Sequence, residues 1–517
     1  MKTLKRLAFI SSLVMLLVAG CTKDFEEINT DPNRSVVVET GYLLTYSEKV
    51  LIDWLRDEWF GGRVNHLLAQ HWSQRNYSDE DRYLFRSAVN NSAWSMFYRT
   101  MMNLQRIIDL NSNESTRVQA SSSGPNDHQI AVATILQVWI MNIITDSWGD
   151  VPYSEALNPS ILQPKYDKQE DVYALMIQKL IDANSMIDLS LPAPNLTKGD
   201  LIYNGNMEKW KKFGNTLRLR IALRAYHKVP AYLNDVLTLP ASSFFESNAD
   251  NAIIEYLPDS PNQGPVYIAF FVSARNDFTI TKTLTEILAG RNDTLNVGKN
   301  NPFAGIVDPR IDVWSYPNED DTSPYFGQYV GMPYGMLDTY TKAFAKYCPD
   351  YTVHPSVIHE PDFGYTYMDY AEYCFIMSEV NGWNQAWYEA GIRASMEFWG
   401  VATSDIDAYI AAVPAANEEN VMTQKYLAFY MQPEQAWFEY RRKGYPLMLL
   451  HPGEISHRQL VEGVMTDIMF NQLEGDGIPR RLQYPIEESG VNPTGYEGAV
   501  ANQGADLLTT RVWWDKP

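Results

Sequence analysis

Apolar residues recur along most of this chain with the spacing of helices. In "EDVYALMIQKLIDANSMID", Val172, Met176, Leu180, Ala183 and Ile187 follow one another at steps of four, four, three and four, which places them on one helix face. The preceding stretch, "QIAVATILQVWIMNIITDSWG", is apolar nearly all round and predicts a buried helix. "EKWKKFGNTLRLRIALRAY" predicts a third, with Trp210, Phe213, Leu217 and Ile221 as its stripe. Two more, "MDYAEYCFIMSEVNGW" and "NQAWYEAGIRASMEFWG", are joined by a short turn around Gly382. From about Ala241 to Gly335 the periodicity is lost and Pro, Gly, Asn and Asp thicken, predicting long loops with short strands. The tail from Glu474 is again loop-rich.

Helix pairs joined by short turns suggest a repeat, and "AWYEAGIRAS" resembles the second helix of a tetratricopeptide repeat, where small residues let helices pack closely. The expected fold is therefore mostly α: a tetratricopeptide-like helix-pair scaffold carrying a long loop-rich insertion, about 241–335, with short strands.

The N-terminus is patterned differently. Lys2, Lys5 and Arg6 precede an apolar run from Leu7 to Ala19 that only Ser11 and Ser12 interrupt. About a dozen apolar residues make a signal-peptide core and fall short of the ~20 that span a bilayer. Val18-Ala19-Gly20-Cys21 resembles the bacterial lipoprotein box, in which the cysteine is acylated and becomes the new N-terminus. The division expected is a signal peptide at 1–20, a lipidated tether at 21–40 beginning with Cys21, and one binding domain over 41–517. Each buried CH₂ of an acyl chain contributes ~0.8 kcal/mol, so more than one chain anchors stably without a spanning helix.

Composition narrows the partners. Of 517 residues, 63 are acidic and 42 basic, a net charge of −21; removing the leader takes three bases with it and leaves −24. Phosphate backbones would repel such a body, so nucleic acid is a poor candidate partner. Apart from Cys21 only Cys348 and Cys374 remain, either bridged or free. Aromatic residues make up 13%, and the 32 tyrosines dominate them; a flat ring with a polar tip suits wet interfaces and sugar faces.

Catalytic motifs are not found. The chain has no Gly-x-Ser-x-Gly elbow, His-Glu-x-x-His or phosphate loop. His354 and His359, five apart across Pro355, share no helix face and predict no metal site. Asn318-Glu319-Asp320-Asp321 reads as a solvated turn before it reads as a calcium loop. Arg218, Arg220, Arg224, Arg441 and Arg442 are expected to tie helices together through carboxylates.

Nine pieces then fall in one order behind the lipobox: "NTDPN", "DSWGDVPYSEAL" at 146–157, "PKYDKQEDVY" at 164–173, "YNGNMEKWKKFGNTLRLRIALR" at 203–224, "DPRIDV" at 308–313, "YAEYCFIMSEVNGW", "AWYEAGIRASMEFWG", "QKYLAFYMQPEQAWFEYRRKGYP" at 424–446 and "IPRRLQYPIEE" at 478–488. With them the chain resembles the SusD/RagB nutrient-binding outer-membrane lipoproteins, in the branch described as starch-binding proteins associating with the outer membrane. The resemblance implies a non-enzymatic binder held by its lipid at the cell outer membrane, facing outward. It implies a partner, a SusC-type TonB-dependent barrel over which such a protein sits as a lid, and a glycan or, in some members, a peptide as cargo. It implies no cofactor. A surface glycoside hydrolase is the rival reading from another class.

Sugar capture needs flat aromatic faces with polar groups placed for hydroxyls. Two stretches offer both. "QHWSQRNYSDEDRY" brings Trp72, Asn76, Tyr77, Arg82 and Tyr83; "VWSYPNEDDTSPYFGQY" brings Trp314, Tyr316, Asn318 and Tyr325. These nine are the expected ligand-binding residues.

Overall fold

The stripes predicted from sequence face inward. In the computed structural model, which describes residues 38–516, Val172, Met176, Leu180, Ala183 and Ile187 are all buried, as are Trp210, Phe213, Leu217 and Ile221. The leader, Cys21 and the first part of the tether lie outside the described residues.

Ten helices carry the scaffold: α1 (Thr40–Arg56), α2 (Ser87–Ser112), α3 (Asn126–Trp148), α4 (Gln169–Met186), α5 (Met207–Arg224), α6 (Tyr370–Val380), α7 (Gln385–Phe398), α8 (Thr403–Ala412), α9 (Glu418–Ala428) and α10 (Pro433–Lys443). Consecutive helices pack as pairs, most extensively α2 on α3, α3 on α4 and α6 on α7. The α6–α7 turn works as the sequence implies: Gly382 takes φ +73°, and Asn384 caps α7 by accepting a hydrogen bond from the Trp387 N–H. Close packing inside the pair depends on Gly391, since a Cβ there would stand 2.7 Å from the Phe375 ring. Helix α3 is apolar and long enough to cross a membrane, yet 89% of its apolar window is buried within the protein. It is a core helix.

The fold is mostly α, and its strands are short. Among the described residues six strands form three antiparallel pairs: β1 (Trp72–Gln74) with β3 (Phe278–Ile280), β2 (Ala252–Ile254) with β4 (Tyr365–Met368), and β5 (Ile455–Val461) with β6 (Val464–Met469). Within 241–335 the regular elements run to at most seven residues, as in the helix Lys282–Leu288. Because β2 and β3 find their partners outside that region, it is stitched into the scaffold.

Charged groups follow the same inward logic. Arg218 pairs with Asp235, Arg220 with Glu372 and Arg224 with Asp146. Asp146 is a hub, accepting also from Asn142, Tyr173 and Trp514 at 2.8, 2.5 and 2.7 Å. Removing one member of a buried network leaves the others unpaired, which costs more than the net worth of any single bond. Arg442 fits the expectation, bridging Glu379 and Glu439. Arg441 departs from it: its guanidinium donates to the carbonyls of Arg480 and Asp146 and forms no ion pair among the described residues. The aromatic wall of Trp437, Phe438 and Trp514, whose rings stand 3.9–4.9 Å from its guanidinium carbon, takes the place a carboxylate was expected to fill. Cys348 and Cys374 are both free and buried.

Candidate functional site

Strand β3 brings together the two stretches singled out in the sequence. Along one edge it pairs with β1, Trp72 lying opposite Ile280. At its end, Met332 donates to the Ile280 carbonyl at 2.9 Å and accepts from Lys282 at 2.8 Å. This crossing is tight, because a Cβ on Gly331 would fall 2.2 Å from the Thr281 oxygen. Between Trp314 and Met332 the chain loops outward and closes on itself. The Asn318 N–H donates to the Gln328 carbonyl and the Gly327 N–H to the Asn318 carbonyl, each at 2.8 Å.

A second strap, 347–354, ties both stretches to each other. The Asn318 amide donates to the Tyr347 carbonyl at 3.0 Å, and the Tyr316 hydroxyl donates to the Asp350 carbonyl at 3.0 Å. From the other side, Arg75 donates to the Pro349 carbonyl at 2.6 Å and reaches Asp350 at 3.5 Å. The amide oxygens of Asn76, Asn276 and Asn318 accept no hydrogen bond from the protein. Tyr325 stands edge-on to Phe344 and Tyr347, while Phe326 and Tyr77 are more than half exposed.

The nine expected residues divide into two groups. Trp72, Tyr83 and Trp314 are buried and expose almost none of their rings. Trp72 stacks on His66 with ring centroids 3.7 Å apart and donates its indole N–H to the Tyr430 hydroxyl; Trp314 stacks on the same Tyr430. The two tryptophans are roots that fasten the loops to the core, since a large apolar ring gains more by full burial than a rim position offers. Asn76, Tyr77, Arg82, Tyr316, Asn318 and Tyr325 stay half-buried or exposed. Arg82 is turned away, its Nε donating to the Asn471 carbonyl at 2.7 Å.

Beside the loop opens a cleft of about 230 Å³, lined by Tyr325, Gln328, Tyr329, Phe344, Lys282 and Glu286, with Arg291 and His457 at its edge. Glu286 sits 3.7 Å from Lys282, but burial outweighs that cation and pushes its carboxyl up to about 7. Burial also pushes the His457 ring down to about 4, with Lys282 adding to the effect. The cleft thus offers hydroxyl-binding groups of both polarities against tyrosine walls. Gln328 and Tyr329 lie within the aromatic stretch 313–329, where nothing in the sequence sets them apart; Glu286 lies on the seven-residue helix of a region that reads as loop, and His457 on β5. Among the described residues no group of three or more His, Cys, Asp or Glu side chains is placed to hold a metal ion. Asp320 accepts from its own turn, from Thr322.

The helix-pair scaffold thus roots a closed aromatic loop at the surface beside a cleft. Residues 32–485 match the SusD-like family model described as "Starch-binding associating with outer membrane", and the chain belongs to that family. Solved structures share the fold. A chitin-binding protein superposes with a TM-score of 0.72 at 24% identity, covering 93% of this chain and all of its own. A chitin-binding SusD homologue from Flavobacterium johnsoniae gives 0.69 at 23%, covering 92% of this chain and 98% of its own. A SusD homologue from Parabacteroides distasonis gives 0.73 at 21%, with the same coverages. No curated protein matches the chain.

Proposed function

We propose that this protein is a non-catalytic glycan-binding lipoprotein of the outer membrane that captures an oligosaccharide on the 314–332 loop face and passes it to a SusC-type TonB-dependent barrel. The observation carrying this reading is the closed loop itself: Tyr316, Tyr325, Phe326 and Tyr329 are held at the surface by bonds to the 347–354 strap and to β3, beside a cleft with polar groups. Rings fixed in advance lose little freedom when a sugar stacks on them, which favours affinity. Family membership supports the same class of ligand. The anchor rests on the lipobox ending at Cys21, and the barrel partner on the family resemblance alone.

A glycan panel titrated calorimetrically against the full chain in detergent, with product analysis of each mixture, tests the reading. The expected result is saturable binding of at least one oligosaccharide with no new reducing ends. Cleavage of the bound glycan would point instead to the hydrolase reading, with Glu286, protonated up to about pH 7, as its general acid. Binding of peptides with no glycan bound would assign the face to a peptide-carrying member.

A further inference from the structure

A cleft of about 400 Å³ that shares no lining residue with the loop cleft opens where α5, α6, α10 and the segment 511–516 meet. Its lining holds five cations, Arg441, Arg442, Lys443, Arg511 and Lys516, against two carboxylates, Glu379 and Asp515. For a chain of net charge −21 that is a local inversion of sign. Leu223, Tyr226, His227 and Trp514 complete the wall.

Most of these charges have a plain structural use. Arg442 holds Glu379 through two hydrogen bonds of 2.6 Å, Lys443 reaches Glu379 and Glu418, and Arg511 and Arg480 both hold Asp515. Basic groups in the last turn of α10 also suit the negative end of its dipole. Both lining carboxylates are therefore already neutralised. Two cations make no direct ion pair among the described residues, although Asp515 and Asp146 act on Arg441 and Asp150 on Lys516 from further away. Arg441 is 96% buried and its Nε has no hydrogen-bond partner, and Lys516 donates only to the Gln503 carbonyl at 3.0 Å. Burial pulls the Arg441 pKa well below the ordinary value, to about 9, although Asp515 and Asp146 act against the shift.

We propose that this cleft binds a carboxylate-bearing sugar, with Arg441 and Lys516 meeting the carboxylate and the exposed ring of Tyr226 meeting the pyranose face. After its two carbonyl bonds Arg441 keeps one N–H on each terminal nitrogen, charge-assisted bonds to a carboxylate are strong, a volume of this order suits a monosaccharide, and Tyr226, 46% exposed, offers the flat apolar surface a sugar ring needs. The site is separate from the loop face and stands or falls independently of it.

Calorimetry on the full chain with glucuronate, glucose and inorganic phosphate tests the assignment. Glucuronate is expected to bind, glucose not to bind, and phosphate to bind more weakly than glucuronate. Lys516→Gln is expected to weaken glucuronate about tenfold without moving the thermal midpoint, and Arg441→Lys, which keeps the charge but loses the paired terminal nitrogens, to weaken it further. If Arg441→Lys does not fold, Lys516→Gln and Tyr226→Ala decide the matter. No glucuronate binding, equal binding of glucose, phosphate binding as tight as glucuronate, or unchanged affinity in Lys516→Gln would each overturn the proposal.

Discussion

The α6–α7 pair and loop 314–332 are both rich in aromatic residues and spend them differently. In the pair, Tyr373, Phe375 and Tyr388 are buried, and the helical backbone satisfies its own hydrogen bonds, so the rings are free to fill the core. Of the loop's aromatic residues Trp314 alone is buried; Tyr316, Tyr325 and Tyr329 are half-buried and Phe326 is exposed. There the backbone cannot satisfy itself with a helical ladder, and side chains such as Asn318 and Tyr316 bond the neighbouring strap instead. The helix pair uses aromatics to make a rigid body, and the loop uses one tryptophan as a root so that the others can remain outside. Shape is held by one region and chemistry is presented by the other.

The largest effects should follow from cutting the roots. Trp314→Ala or Trp72→Ala removes a buried indole and is expected to destabilise the protein by about 3–5 kcal/mol, read by urea unfolding. Either variant with near-native stability would mean that the loops are fastened elsewhere.

Next comes the pH dependence of stability. Glu286 has its folded pKa raised from 4.5 to about 7, so between those values the native state binds more protons than the unfolded chain and stability falls as pH rises. Glu286→Gln removes that contribution and should raise stability at pH 8 relative to pH 4 by as much as about 3 kcal/mol. Asp81 and Asp369, pushed up to about 7 by burial, act in the same direction in both proteins. The buried rings of His71 and His359, pushed down to about 3, act oppositely and withdraw stability as pH falls below about 6.5. Identical pH profiles for wild type and Glu286→Gln would show that Glu286 titrates normally.

A smaller effect, and a different readout, is expected at the rim. Tyr325→Ala should weaken glycan binding by about 1–3 kcal/mol while changing stability by less than the root variants do. A large loss of stability with unchanged affinity would make Tyr325 another root. The smallest effect concerns Arg458 and Asp467, an exposed cross-strand pair on β5–β6. Removing it by Arg458→Ala should leave both the urea midpoint and glycan affinity nearly unchanged, because solvent screens an exposed pair.

The scaffold was legible because helices impose a period. Val172 to Ile187 and Trp210 to Ile221 announce which side is inward, and the Gly382–Asn384 turn announces where a pair bends. Arg218, Arg220 and Arg224 could be assigned to acids from the charge surplus alone, whereas Arg441 could not, since nothing in "FEYRRKGYP" says that three rings will surround it. The loop face was half legible. Composition marked 313–329 as aromatic and polar, but a loop has no period to separate inside from outside, so Trp314 looked no different from Tyr316. Glu286 and His457 were invisible for another reason: they reach the cleft through β3 and the β5–β6 hairpin, pairings set by the whole fold.

Ligand is expected to meet this protein at the loop and its cleft. Amide hydrogen exchange of the full chain, with and without a saturating oligosaccharide from the panel, addresses it most directly. The prediction is slowed exchange concentrated in 316–331 and 282–291, with α3 and the α6–α7 pair unchanged. Protection confined to the helix pairs, with 316–331 exchanging as in the free protein, would contradict it.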